Sequence, residues 1–136
     1  PLLGGPDRLV LLDATRSAKQ AVSKWVGSVT PKGASDPLGA LEAALGVRPD
    51  AVFLLSAGLR GVDAADVDPR RLLQRLDELN PLVRTTDGGQ RRRVVIKTIS
   101  LLEPDPTGLL QAIGARHAGV DGHRVLSREE LMRSSR

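Results

Sequence analysis

The chain has 136 residues, 40% of them hydrophobic and 26% charged, a length and composition that predict one folded domain and exclude a disordered chain. It has no Cys, which excludes disulfides and thiolate metal sites, and its core should be aliphatic because Trp25 and Phe53 are its only aromatic residues. No run of 18 apolar residues occurs, so no membrane-spanning segment is expected in this chain.

The net charge of +4 raises the hypothesis that the chain binds nucleic acid. The basic residues are scattered, however, except for the run Arg91-Arg92-Arg93, and the chain has almost no aromatic side chains that could stack on bases. We therefore expect residues 91–93 to form a solvated loop, and we expect no nucleic-acid partner.

The N-terminal part predicts a lead-in, a short strand and a helix. Residues 1–8 contain Gly4-Gly5-Pro6 and are expected to be a loose lead-in, with one α/β domain over residues 9–136. Leu9 to Leu12 is an apolar run typical of a buried strand or its remnant. Ala14 to Val29 has apolar residues at helical spacing and should form a helix.

Asp-Pro dipeptides precede three predicted helices, at Asp36-Pro37, Asp68-Pro69 and Asp105-Pro106. Asp caps free backbone N–H groups at a helix start, and Pro is well tolerated at the first helical position. Asp36 therefore needs no function other than capping. The inward positions of the three helices are Leu38, Leu41, Leu45, Leu72, Leu73, Leu76, Leu79, Leu109, Leu110 and Ile113.

Strands are predicted between these helices, at Ala51 to Leu55, Val94 to Leu101 and His123 to Leu126, with a polar loop at Thr85 to Gln90. Ser127 and Glu130 have capping-box spacing and indicate a last helix. Helices and strands therefore alternate. This order predicts a mainly parallel sheet flanked by helices on both faces, as in Rossmann-like folds.

The stretch GASDPLGALEAALGVRPDAVFLLSAG (33–58) resembles the von Willebrand factor A-type domain, whose members often carry G-G-T-D-P, then A-L-x-x-A-L, then a strand ending in L-T-D-G. The likeness continues through VVIKTISLLEPDPTGLLQAIGARHAG and HRVLSREEL, and it covers Ala14 to Leu131. The resemblance implies an α/β fold with a metal-ion-dependent adhesion site at the carboxyl edge of the strands. Mg²⁺ would be held there by hydroxyl and carboxylate oxygens.

The resemblance implies that this metal site is impaired or absent. Ser35 stands where the family has Thr, whereas Ala57 stands where it has the Asp of L-T-D-G, so a charged ligand is lost. The expected function is non-enzymatic protein–protein interaction or scaffolding, with a protein partner and no cofactor. The expected interaction rim consists of Gly33, Ser35, Asp36, Ser56 and Gly58, at the tip of a central strand.

An alternative is a metal-dependent adhesion domain that uses Asp13, Thr15, Ser17 and Ser35, because residues 13–17 fit D-x-[ST]-x-S. Only 17 residues separate Ser17 from Ser35, whereas the family places further strands between these loops. Capping of a helix by Asp13 or Thr15 is therefore favoured. In that alignment we expect the first strands of the domain to lie upstream of Pro1, where a signal or an anchor would also lie. The sheet would then have a free edge or an uncovered apolar face and would tend to self-associate.

A further alternative is a small α/β enzyme or nucleotide-binding module. No G-x-S-x-G, P-loop or G-x-G-x-x-G pattern supports it. His117 and His123 flank Asp121, but we expect them to be exposed or to lie near a helix C-terminus, where they complement its dipole. A pocket with convergent titratable groups at the strand ends would favour this alternative.

Overall fold

Five helices and five strands form the part of the chain that the computed structural model describes, which is residues 11–30, 32, 36–58 and 68–133. In chain order the elements are α1 (Arg16–Ser28), α2 (Pro37–Gly46), β1 (Ala51–Ser56), α3 (Pro69–Leu79), β2 (Leu82–Arg84), β3 (Gln90–Arg92), β4 (Val95–Leu101), α4 (Leu109–Ala118), β5 (His123–Leu126) and α5 (Arg128–Arg133).

A parallel three-stranded sheet in the order β1-β4-β5 organises these elements, and β2 and β3 form a separate antiparallel hairpin. In the sheet Ala51 is paired with Val95, and Thr98 is paired with His123. The predicted α/β class with a parallel sheet is therefore confirmed. The prediction that Ser56 ends a central strand is wrong for the described sheet, in which β4 is central and β1 lies at an edge.

The core lies on one face of this sheet. Burial alternates along β4, where Ile96, Thr98 and Ser100 are buried and the residues between them are half-buried. Helices α2, α3 and α4 supply the other side of the core through their predicted inward leucines. The buried apolar side chains are Leu41, Leu45, Leu72, Leu76, Val94, Ile96, Leu109, Leu110 and Ile113.

The opposite face of the sheet is mostly apolar; it is exposed to solvent along β1 and half-buried along β4. Phe53 is 61% exposed and Leu55 is 53% exposed, because alternate residues of a strand point to opposite faces. We call this surface the open face; it comprises Ala51, Phe53, Leu55, Val95, Lys97, Ile99, Leu101 and Arg124. The core of the described part of the chain places helices α2, α3 and α4 on one face of the sheet, and it does not show the expected helices on the other face.

Local signals placed most helix ends correctly. Asp36 accepts a hydrogen bond from Gly39 N at 2.8 Å, and Asp68 accepts one from Arg70 N at 3.0 Å. At α5, Ser127 N donates to Glu130 Oε2 at 3.0 Å and Glu130 N donates to Ser127 Oγ at 3.3 Å, which confirms the capping box.

Other expectations fail. Helix α4 begins at Leu109, because Asp105 to Gly108 forms a turn in which Gly108 N donates to Asp105 O at 3.0 Å and Gly108 has a φ of 68°. Leu11 and Leu12 are exposed and outside any strand, and Leu9 and Val10 lie outside the described residues. The predicted lead-in, residues 1–8, lies outside them as well.

The basic run is not a solvated loop throughout. Arg91 and Arg92 belong to β3, and Arg92 donates to Asp77 Oδ1 at 2.5 Å and to Asn80 O at 2.8 Å. The Arg92 side chain is only 13% exposed, because these two bonds hold it against the end of α3.

Of the helices that the structure describes, none combines the length and the apolar character needed to span a bilayer.

Candidate functional site

The carboxyl end of β1 carries three of the residues that the sequence singled out. Ser56 Oγ donates to Gly58 O at 2.6 Å and accepts from Gly58 N at 3.1 Å, which turns the chain sharply after the strand. Ala57 lies between them and is exposed. A methyl group therefore occupies the position at which the resemblance would place a carboxylate.

Asp105 lies beside this turn. Gly58 faces it closely enough that an added Cβ would be 3.8 Å from Asp105 Oδ1. The Asp105 carboxylate is 8% exposed and accepts from Leu110 N at 3.0 Å and from Thr107 N at 3.1 Å. We call Ser56, Ala57, Gly58 and Asp105 the carboxyl-end cluster.

The protonation state of Asp105 follows from these contacts. Burial works to raise the pKa of the carboxyl group, but the hydrogen bonds from Leu110 N and from Thr107 oppose it and hold the pKa below its usual value. The carboxylate is therefore ionised and fully occupied by its own loop and by the first turn of α4. Sequence reasoning identified Asp105 only as a helix cap, since its contact with β1 depends on tertiary structure.

Ser100 ends the buried face of β4 next to this cluster. It is paired with Ser56 in the parallel register, so the two side chains lie on the same face of the sheet. Ser100 is fully buried, and its hydroxyl has no hydrogen-bond partner among the residues that the structure describes. Its only signal in the sequence is that a polar residue stands within a predicted strand.

The other predicted rim residues are only partly located. Asp36 is an exposed N-cap of α2, as its capping interpretation predicted. Gly33 and Ser35 lie outside the described residues, so the structure places neither of them relative to Ser56 or Gly58. The rim is thus represented by Asp36 at one helix start and by Ser56 and Gly58 at the end of β1.

The alternative metal residues lie at the start of α1. Thr15 Oγ1 accepts from Ala18 N at 3.1 Å and is 3.1 Å from Ser17 Oγ, which confirms Thr15 as the N-cap. Asp13 is exposed, and its backbone carbonyl accepts from Thr15 N at 2.7 Å. Within the described ranges, no three His, Asp or Glu side chains lie together as a group that could hold a metal ion.

A second polar cluster, at the opposite end of β4, was not predicted. Asn80 is fully buried and donates to Val94 O at 2.7 Å, while its Oδ1 accepts from Val94 N at 2.9 Å. Its amide nitrogen is also 3.2 Å from His117 Nδ1. One side chain therefore connects the end of α3, the start of β4 and the last turn of α4.

His117 lies near a helix C-terminus, which was one of the two expectations for it, but it is not exposed, which was the other. It lies in the last turn of α4 but is 2% exposed. Burial, together with the positive charge of Arg92, lowers its pKa to about 4, and Asp77, 3.8 Å from His117 Nε2, only partly opposes this shift. The imidazole is therefore neutral at pH 7 and belongs to the structural core.

Asp77 is the acidic partner of this second cluster. Burial works to raise its pKa, but the hydrogen bond from Arg116 and the charge of Arg92 outweigh that effect and lower the pKa.

The second histidine, His123, lies away from this cluster, at the start of β5, where its Nδ1 is 3.0 Å from Thr98 Oγ1. The two histidines therefore have different partners, His117 contacting Asn80 and His123 contacting Thr98.

Three surface grooves in the described part lie away from the carboxyl-end cluster. One of about 440 Å³ lies between α2 and α3, where Arg75 donates to Glu42 at 2.7 Å. The other two are lined by residues at the start of α1 and by the β2–β3 hairpin. None of these three contains convergent titratable groups at the strand ends.

The geometry defines an α/β domain with a parallel sheet and a polar turn at the carboxyl end of its first strand. No family model, no curated protein and no solved structure matches the chain.

Proposed function

We propose that this chain is a non-enzymatic protein-interaction or scaffolding domain of the von Willebrand A type, with an impaired or absent divalent-metal site. The observation that carries the proposal is the end of β1, where Ser56-Ala57-Gly58 presents an exposed methyl group beside the buried Asp105. Ligands of open α/β sheets bind at the carboxyl ends of parallel strands. A partner would therefore contact this edge.

The bonding of the carboxyl-end cluster supports recognition by shape. The Ser56 hydroxyl is engaged by Gly58, and the Asp105 carboxylate is engaged by Leu110 N and Thr107. A hard cation such as Mg²⁺ demands oxygen ligands in near-ideal octahedral geometry. These two side chains instead rigidify the turn, and a partner would meet the Ala57 methyl and the surrounding backbone.

The proposal extends to the finer architecture. The family resemblance implies helices on both faces of the sheet, whereas the described core uses α2, α3 and α4 on one face. The second layer would cover Phe53 and Leu55, which are large apolar side chains at the surface. Parallel sheets are usually covered on both faces, which favours such a layer.

Calorimetric titration with Mg²⁺ and Mn²⁺ tests the metal part of the proposal. We expect no measurable heat for the wild-type chain and measurable Mn²⁺ binding for Ala57→Asp, which restores a charged ligand. Ala51→Asp, at the opposite end of β1, is the matched control. Tight Mg²⁺ binding by the wild-type chain that Asp13→Asn removes would instead establish the metal-dependent alternative.

The interaction part needs a partner-binding readout. Proteins retained by the immobilised wild-type chain are compared with those retained by Ala57→Arg and by Ala43→Arg, an exposed position of α2. A partner at the carboxyl-end cluster should be lost with Ala57→Arg and kept with Ala43→Arg. Equal retention by both variants would place the interaction elsewhere.

A further inference from the structure

Two apolar surfaces of the described chain have no partner within one copy. The open face exposes Phe53 and Leu55, at 61% and 53%. Helix α1 exposes Trp25 and Val26, at 52% and 59%, on the same stripe as Val22, and it has no buried residue. A sheet face and an amphipathic helix are the two kinds of surface that pack on each other in α/β proteins.

We propose that two copies of this chain exchange their α1 helices, so that the Val22, Trp25 and Val26 stripe of each copy packs on the open face of the other. The second layer of the sheet would then come from a second copy. The proposal depends on the open face and on α1. It does not depend on the carboxyl-end cluster or on the family resemblance.

Each copy has equal numbers of the two surfaces, and this one-to-one match favours a closed dimer. Each copy supplies one helix stripe and one open face, so a reciprocal exchange covers both and leaves nothing for a third copy. The connection between Val29 and Asp36 spans at most about 24 Å when extended, which limits how far α1 can lie from the start of α2 in such an exchange. In a single copy Trp25 and Phe53 both remain exposed, so α1 does not cover its own sheet.

The exposed area is sufficient for a stable interface. A fully buried aromatic side chain removes about 150–250 Å² from water, so two half-exposed Trp25–Phe53 pairs contribute roughly 400–500 Å². Leu55, Val22, Val26 and Val29, counted in both copies, bring the total to roughly 1,200 Å², the lower end of specific protein interfaces.

The charges give the dimer a distinctive salt dependence. Helix α1 carries Arg16, Lys19 and Lys24 and no acidic residue, and the open face carries Lys97 and Arg124. Because both surfaces are positive, added salt should screen their repulsion and tighten the dimer. An anionic membrane bound to α1 would show the reverse, since salt weakens attraction between opposite charges.

Sedimentation equilibrium of the full chain at several salt concentrations measures this association. We expect a dimer whose dissociation constant rises at least ~10-fold in Leu55→Thr and in Val26→Ser, which remove apolar contact area. Leu82→Thr and Val120→Ser are matched controls, because Leu82 is also 53% exposed and Val120 is fully exposed, and both lie outside the two surfaces. Val and Ser have nearly equal helix propensities, so Val26→Ser should leave α1 intact.

A monomer at high salt would overturn the proposal, as would equal weakening by the control variants. Binding to vesicles of anionic lipid that Val26→Ser abolishes, with no dimer present, would also overturn it by assigning α1 to a membrane.

Cross-linking identifies which surfaces meet. The chain has no Cys, so a short bismaleimide reacts only at introduced positions. A mixture of Val22→Cys chains with Ala51→Cys chains should give a cross-linked heterodimer. Cross-linked dimers of Ala51→Cys chains alone would indicate sheet-on-sheet packing and contradict the exchange. So would a doubly substituted chain that cross-links only within itself, since α1 would then cover its own sheet.

Discussion

Gly114 of α4 and Gly122, immediately before β5, approach each other so closely that a Cβ on either would collide with the carbonyl group of the other. The contact lies beside Thr98, whose backbone N–H donates to Gly122 O at 2.8 Å and whose hydroxyl donates to Leu110 O at 2.7 Å. The absence of side chains at these two glycines therefore sets the distance between α4 and the sheet.

We predict that Gly114→Ala and Gly122→Ala each lower the free energy of unfolding by at least about 2 kcal/mol, because the backbones must separate to admit a methyl group. Urea denaturation measures the change. Gly27→Ala in α1, where an added Cβ meets nothing within 4 Å, is the control and should be neutral or slightly stabilising. Wild-type stability in both variants would contradict the close approach.

The burial of His117 predicts a specific loss of stability in mild acid. Its pKa of about 4 in the folded chain lies below the ordinary value of 6.5, so the unfolded chain binds a proton first as the pH falls. The stabilisation is complete above pH 6.5 and is lost progressively between pH 6.5 and 4, by roughly 3 kcal/mol at 1.36 kcal/mol per pKa unit.

Denaturation curves between pH 7 and 4 test the role of His117. His117→Asn keeps an acceptor towards Asn80 but cannot take up a proton, so it should be less stable at pH 7 and should lose the slope between pH 6.5 and 4. A slope that persists in this variant would assign the acid sensitivity to other groups.

The carboxylate of Asp105 predicts a third effect. Asp105→Ala leaves Leu110 N and Thr107 N without their acceptor, so we expect a loss of about 1–3 kcal/mol at pH 7. Asp121→Ala, an exposed Asp in the loop before β5, is the matched control and should be neutral. Because the pKa of Asp105 is lowered in the folded chain, its carboxylate contributes to the free energy of unfolding at neutral pH. This contribution disappears as the pH falls through the lowered pKa.

The free energies of unfolding of the Asp105 variants should therefore converge with that of the wild type in strong acid. A stability difference that stays constant at low pH would mean that packing of the side chain, and not its charge, is responsible. Asp105→Asn separates the two, because it keeps the shape and removes the charge.

The sequence predicted the features that depend on residues close together in the chain. Asp36, Asp68 and the Ser127–Glu130 pair each bond to a backbone or side-chain group two or three residues away, so their spacing alone revealed three helix starts. Apolar runs predicted β1 and β4, and the alternation of helices and strands predicted the parallel sheet.

Tertiary structure decided the features that depend on distant residues. Asn80 bonds to Val94, 14 residues away, and contacts His117, 37 residues away, and no local pattern in the sequence predicts either partner. The same holds for Gly58 beside Asp105 and for Gly114 against Gly122. Local hydrogen bonds and periodic burial depend on residues that are neighbours in the sequence. Buried polar partners and close backbone contacts, by contrast, exist only after the elements pack.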